Sequence, residues 1–238
     1  MTLKAVLFNF SGVIINDQLI RQQLIDEILL QENLRPSASE DWQKYLGRSD
    51  RTCLQEILTS RGRVVSNAYL TQLMINRAKA YEQQLQQLDC LPLYSGVKDF
   101  LAHLKSAELK TGLVADALRT EIDFVLARAA VAAEFDVIVA GDELEPGKPD
   151  SHRYLLAIER LNRQNPVGIE PANCLTIENT YTGIAAAQQS GIAVVGVANT
   201  LPLHMLQRQA DWVVDSLAEL NLATVQDFFE SKSDHQLE

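Results

Sequence analysis

The stretch that most constrains this chain is its beginning, MTLKAVLFNFSGVIIND. Ala5, Val6, Leu7 and Phe8 form an unbroken apolar run, and polar residues begin abruptly at Asn9. A short apolar run closed in this way suits a strand buried on both faces of a parallel sheet. Asn9 and Ser11 then fall just past the strand's carboxyl end, where open α/β sheets bind ligands. Gly12 permits a tight backbone turn there. Taken alone, the run also fits an ordinary core strand and its turn.

The rest of the chain places this strand in a sheet. Between 17 and about 90, Gln, Glu, Arg and Leu dominate and strand signals vanish. Leu19, Ile20, Leu24, Ile25, Ile28 and Leu29 fall on one helical stripe that stops before Pro36. Further helical patterns cover about 41–46, 50–60 and 67–88, which together suggest a small four-helix bundle. From Leu91 onward, strands and helices alternate. Helices are predicted over 97–104, 118–130, 152–161 and 183–190, and strands over 111–114, 135–140, 174–177, 193–197 and 212–214. Such alternation predicts an α/β fold, a doubly wound parallel sheet with right-handed crossovers. The helical bundle then interrupts a core made of residues 1–16 and 91–238.

Composition narrows the partners. A net charge of −10 with no compensating basic stretch argues against wrapping a nucleic-acid backbone. No apolar run is long enough to span a membrane, and the first residues lack the pattern of a signal peptide. Three widely spaced cysteines, Cys53, Cys90 and Cys174, fit reduced thiols in a cytoplasm. The four histidines (His103, His152, His204, His235) have neither ligand nor triad spacing.

Five segments in order carry a family resemblance. They are the opening strand with Asn9 and Ser11; Gly112-Leu113-Val114-Ala115-Asp116-Ala117; Gly147-Lys148-Pro149-Asp150; Leu175-Thr176-Ile177-Glu178-Asn179-Thr180; and the following Ala185–Gly191 stretch. Together they resemble the motifs of the haloacid dehalogenase (HAD) superfamily, in its phosphatase and β-phosphoglucomutase branch, over nearly the whole chain. The resemblance implies a Rossmann-like core, with the 17–90 insertion acting as a helical cap over the site. In that family the first motif holds two Asp, a nucleophile and an acid/base, and these positions are Asn9 and Ser11 here. The phosphate-holding Ser or Thr of the second motif is Ala115, while the lysine of the third, Lys148, is kept. The fourth motif usually reads Glu-Asp-Ser with the Asp on magnesium, and here it is Glu178-Asn179-Thr180. The Gly47 loop occupies the place of a cap loop that reaches toward substrate, so Arg48 and Arg51 become candidate anion contacts. Solvation, or pairing with Asp50 and Glu56, is the plainer account of both arginines.

The departures share one physical consequence. An Asn amide carries no charge and cannot form an aspartyl-phosphate. A Ser hydroxyl is a poor acid/base without a neighbouring base, and the sequence shows none beside Ser11. Magnesium wants hard, preferably anionic oxygens, so binding through Glu178 and Asn179 is expected to be weak or absent. Lys148 would then pair with Glu178. Asp17, Asp116, Asp142 and Glu143 lie near strand ends, where solvation and loop capping are the plainer roles for acids. The expectation is a pseudo-phosphatase without a cofactor, which binds a small phosphorylated metabolite or anion, or serves as a regulatory or scaffold protein for a protein partner. The alternative is an active phosphatase or phosphomutase using non-standard residues. A third reading makes the acidic C-terminal stretch from Asp227 a docking tail.

Overall fold

The computed structural model describes residues 2–38, 42–144, 150–164 and 168–234. Six strands form one sheet: β1 (Ala5–Phe8), β2 (Lys110–Val114), β3 (Val137–Val139), β4 (Cys174–Glu178), β5 (Ala193–Val197) and β6 (Trp212–Val214). Their order is β3-β2-β1-β4-β5-β6, with every pair parallel. The chain builds outward from β1 in one direction and from β4 in the other, so the order reverses between these two central strands. That junction opens the crevice in which doubly wound sheets bind ligands.

Alternation along β1 divides the core in two. Val6 and Phe8 face a cluster with Phe100, Leu101, Ile122 and Val125, whereas Ala5 and Leu7 face one with Tyr154, Ile158 and Leu161. The first face is covered by α4 (Val97–Ser106), α5 (Arg119–Ala129) and the terminal α9 (Leu222–Asp234), and the second by α6 (His152–Gln164), α7 (Tyr181–Gln189) and the short α8 (Leu203–Leu206). All four β1 side chains are fully buried, each large one contributing about 1.5–3 kcal/mol by leaving water.

The remaining helices are α1 (Gln18–Gln31), α2 (Asp50–Ser60) and α3 (Asn67–Gln86), which share a third apolar cluster. Ser49 and Ser66 cap α2 and α3, each accepting a backbone N–H with its side chain. The helical stripe of α1 holds at Leu24, Ile25, Ile28 and Leu29 and Ile20 packs against the core, but Leu19 is exposed. The helix expected over 41–46 is a single 3-10 turn, Gln43–Tyr45, with Asp41 outside the described residues. The C-terminal stretch is a second correction. Through Asp234 it is α9, not a free tail: Val225 and Phe229 are 2 % exposed, and Phe228 meets Trp212 edge-on at 4.0 Å. Among the described residues no helix is long and apolar enough to cross a membrane. All three cysteines are free, with Cys53 and Cys174 buried and Cys90 exposed.

Candidate active site

Asn9 leaves the end of β1 as Asn179 leaves the end of β4. Phe8 lies opposite Ile177 in the ladder, so the two asparagines meet across the junction. Asn9 Nδ2 donates to Asn179 Oδ1 at 2.8 Å, and Asn179 Nδ2 donates to Thr200 Oγ1 at 2.6 Å. Asn9 Oδ1 accepts the Phe10 N–H at 2.8 Å. The amides therefore satisfy one another without any charge. Gly12 makes this closeness feasible: its φ is +82°, and a Cβ there would lie 1.9 Å from Asn179 Nδ2.

Ser11 is half-buried and lines the cleft. The sequence suggested no base beside it, and here the fold corrects that reading. Ser11 Oγ donates to Asp17 Oδ2 at 3.1 Å, and the same oxygen accepts the Tyr81 hydroxyl of α3 at 2.7 Å. Asp17 is 1 % exposed, not solvated, and its other oxygen, Oδ1, is buried with no hydrogen-bond partner. Burial raises the Asp17 carboxyl above its ordinary range, opposed by the Arg21 charge and the Tyr81 hydrogen bond.

Glu178, the last residue of β4, is buried beneath the same cleft. Its Oε1 accepts the Tyr154 hydroxyl at 2.5 Å and its Oε2 accepts the Asn179 N–H at 3.3 Å. Burial pushes its pKa up to about 7 despite these hydrogen bonds. The expected partner Lys148 lies outside the described residues, as do Gly147 and Pro149. Ala115 follows directly on β2 with its methyl group buried and offers no hydroxyl there.

The other acids are each held in ion pairs or hydrogen bonds, and of them Asp116 lines the cleft together with its partner Arg153. Asp116 pairs with Arg153 at 2.6 Å, Asp142 accepts the Arg119 N–H at 2.9 Å, and Glu143 pairs with Arg119 at 3.1 Å. Arg48 lines the cleft but pairs with Glu56. Arg51 turns away from the cleft and donates to Thr71 Oγ1 of α3 at 3.0 Å. Between the strand ends and helices α1 and α2 lies a cavity of about 120 Å³, reached by Gln18, Gln22, Trp42 and Tyr45. The Gly47 loop closes one side: Thr182 Oγ1 at the start of α7 donates to the Gly47 carbonyl at 2.8 Å.

Magnesium, which the resemblance implies, is poorly served by these donors. Glu178 already accepts hydrogen bonds on both oxygens, and the amide oxygens of Asn9 and Asn179 are each an acceptor as well. Among the described residues no group of three or more His, Cys, Asp or Glu is disposed around a metal position. The described residues do not fit the ion.

Several contributors had no local signal in the sequence. Tyr154 sits on the apolar side of α6 and reads as core, and Tyr81 does the same on α3. Arg21, Asp50, Arg77 and Glu121 form a buried ionic chain from three different helices to the first turn of α5. Asp50 takes Arg21 Nη2 at 2.8 Å and Arg77 Nη2 at 2.9 Å, and Arg77 reaches Glu121 at 2.7 Å.

Known proteins share this architecture. Residues 6–197 match the family model described as haloacid dehalogenase-like hydrolase. The YhcW protein of Bacillus subtilis (strain 168) is 27% identical over 232 residues, covering 97% of this chain and 100% of its own length. The β-phosphoglucomutase of the same strain is 28% identical over 230 residues, with 96% of each chain covered. In the solved structures, a β-phosphoglucomutase from Clostridium difficile superposes with a TM-score of 0.82 at 21% identity, covering 97% of this chain and 98% of its own. The fold, its order of strands and the span of the family match agree, and this chain belongs to the haloacid dehalogenase-like hydrolases.

Proposed function

We propose that this protein acts on small phosphorylated metabolites as a phosphatase or phosphomutase whose working residues are not the family's paired carboxylates. The observation that carries this reading is Ser11, a hydroxyl on the cleft wall backed by the carboxylate of Asp17. Relatives matched over nearly their full length include a β-phosphoglucomutase, which supports a phosphorylated substrate. Residues 17–90 are read as a cap closing on a core of 1–16 and 91–238, and the cytoplasm as the site of action. A second reading, binding without turnover, is favoured by one observation: position 9 is a neutral amide already engaged with Asn179.

The test is turnover of a panel of hexose phosphates and an aryl phosphate by purified protein, with magnesium and with chelator. Release of phosphate above that of a Ser11→Ala variant and a mock-purified blank supports the first reading. Wild-type protein that releases none, yet shifts its amide signals on adding inorganic phosphate, supports the second. Asn9→Asp restores an anionic nucleophile and is expected to raise turnover at least tenfold in magnesium, since general acid–base and nucleophilic groups each contribute about 10²-fold or more.

A further inference from the structure

Asp17 precedes α1 at the position where an Asp side chain ordinarily caps the helix by accepting a backbone N–H. It does not do so. Its side chain makes no capping hydrogen bond, and its carboxylate is turned back to Ser11 and Tyr81. Forgoing a cap and burying an acid with one bare oxygen both cost stability, so a packing role does not explain the arrangement.

Resting on the phosphatase reading above, we propose that Asp17 is a positioning residue that acts through Ser11, orienting its hydroxyl and taking the proton that Ser11 passes on from the attacking water. Ser11 Oγ has one proton, and that proton is given to Asp17 Oδ2. Its lone pairs are therefore left for the cleft, which Ser11 lines. In the step, the water oxygen forms a bond to phosphorus. The bond from phosphorus to the bridging oxygen of the substrate breaks, its electron pair remaining on that oxygen. The water proton passes to Ser11 Oγ and the Ser11 proton to Asp17 Oδ2. The departing alkoxide takes a proton from bulk water, and Asp17 returns its own to solvent through Ser11. One water is consumed, an alcohol and inorganic phosphate are released, and nothing is oxidised.

The surroundings keep Asp17 able to exchange that proton. Arg21 of α1 favours its ionised form, and the Tyr81 hydroxyl of α3 stabilises it by hydrogen bonding. Burial and the Asp50 carboxylate of α2 oppose ionisation. Tyr94, whose hydroxyl is itself raised by burial and by Asp17, faces it from the return segment. Tyr81 also ties the carboxylate to helix α3, so displacement of that helix would loosen the pair.

The experiment measures kcat and KM between pH 5 and 9 for wild type, Asp17→Asn, Ser11→Ala, Ser11→Thr and the Asp17→Asn/Ser11→Ala double variant, on whichever aryl or hexose phosphate the wild type turns over. The expected result is a fall in kcat of about 100-fold in Asp17→Asn and in Ser11→Ala, with KM within about twofold. The wild type should show an acid limb that Asp17→Asn abolishes. The double variant should be no worse than either single one, because groups acting as a unit are not additive, and Ser11→Thr should keep the limb. An Asp17→Asn protein that melts as the wild type does and retains the limb would overturn the inference while leaving the phosphatase reading intact. So would effects that multiply in the double variant. No turnover by the wild type would overturn that reading and this inference with it.

Discussion

Glu178 is an acid almost fully buried at the end of a central strand, at the floor of the cleft. Its unfolded reference is 4.5 and its folded pKa about 7, so between these values the folded chain binds a proton that the unfolded chain has released. Stability therefore falls as pH rises through that window, by on the order of 3 kcal/mol from this group, and the cost is complete above it. Asp17 and Glu121, also raised by burial, act in the same direction, while Asp50, held low by Arg21 and Arg77 despite its burial, acts in the opposite one. The Glu178 contribution can be isolated by comparing urea unfolding of wild type and Glu178→Gln in chelator. The gap between the two should change by on the order of 3 kcal/mol from pH 4.5 to pH 7.5 in favour of the Gln variant. A gap that stays constant with pH would mean that Glu178 titrates normally in the folded state.

At the scale of elements, helices α1 and α3 meet the core through apolar contact at Leu24, Tyr81 and Leu85, and helices α1, α2 and α3 are further tied to it by one buried guanidinium. Arg77 of α3 is 3 % exposed and stands between Asp50 of α2 and Glu121 of α5. Glu121 in turn accepts the Leu118 N–H at 3.0 Å, so the start of α5 depends on the same chain. Such a chain is a poor source of net stability compared with an apolar replacement of all its members. Removing one member, however, strands the others in a dry place. Arg77→Ala is accordingly expected to cost about 3–5 kcal/mol in urea unfolding. Adding Glu121→Gln to it should recover part of that loss, because a stranded charge is removed.

For the whole molecule, the terminal helix is part of the first core face. Phe229 of α9 lies in the cluster that contains Phe8, Phe100 and Val125, and Phe228 packs on Trp212 of the edge strand β6. Phe229→Ala should cost about 3–5 kcal/mol, read as a fall in Tm of several degrees for a chain of this size. A free acidic tail would show no such change.

The sequence by itself determined the opening strand, the helical insertion after it and the alternation that makes a parallel sheet. These rest on local periodicity and on turn residues that act within a few positions, and β5 and β6 were legible to the residue. It also determined which family residues are absent, since Asn9, Ser11, Ala115 and Asn179 can be read directly. It missed α9, where a run ending in Glu, Lys and Asp outweighed the spacing of Val225 and Phe229. Only the tertiary structure decided what surrounds those residues. Asp17 and Ser11 are six positions apart, and the turn at Gly12 decides whether they meet. Tyr81 reaches the same carboxylate from 64 positions away, and Tyr154 reaches Glu178 from 24. Hydrogen bonds and dry surroundings depend on distance in space, and no pattern along the chain records that for residues brought together by folding.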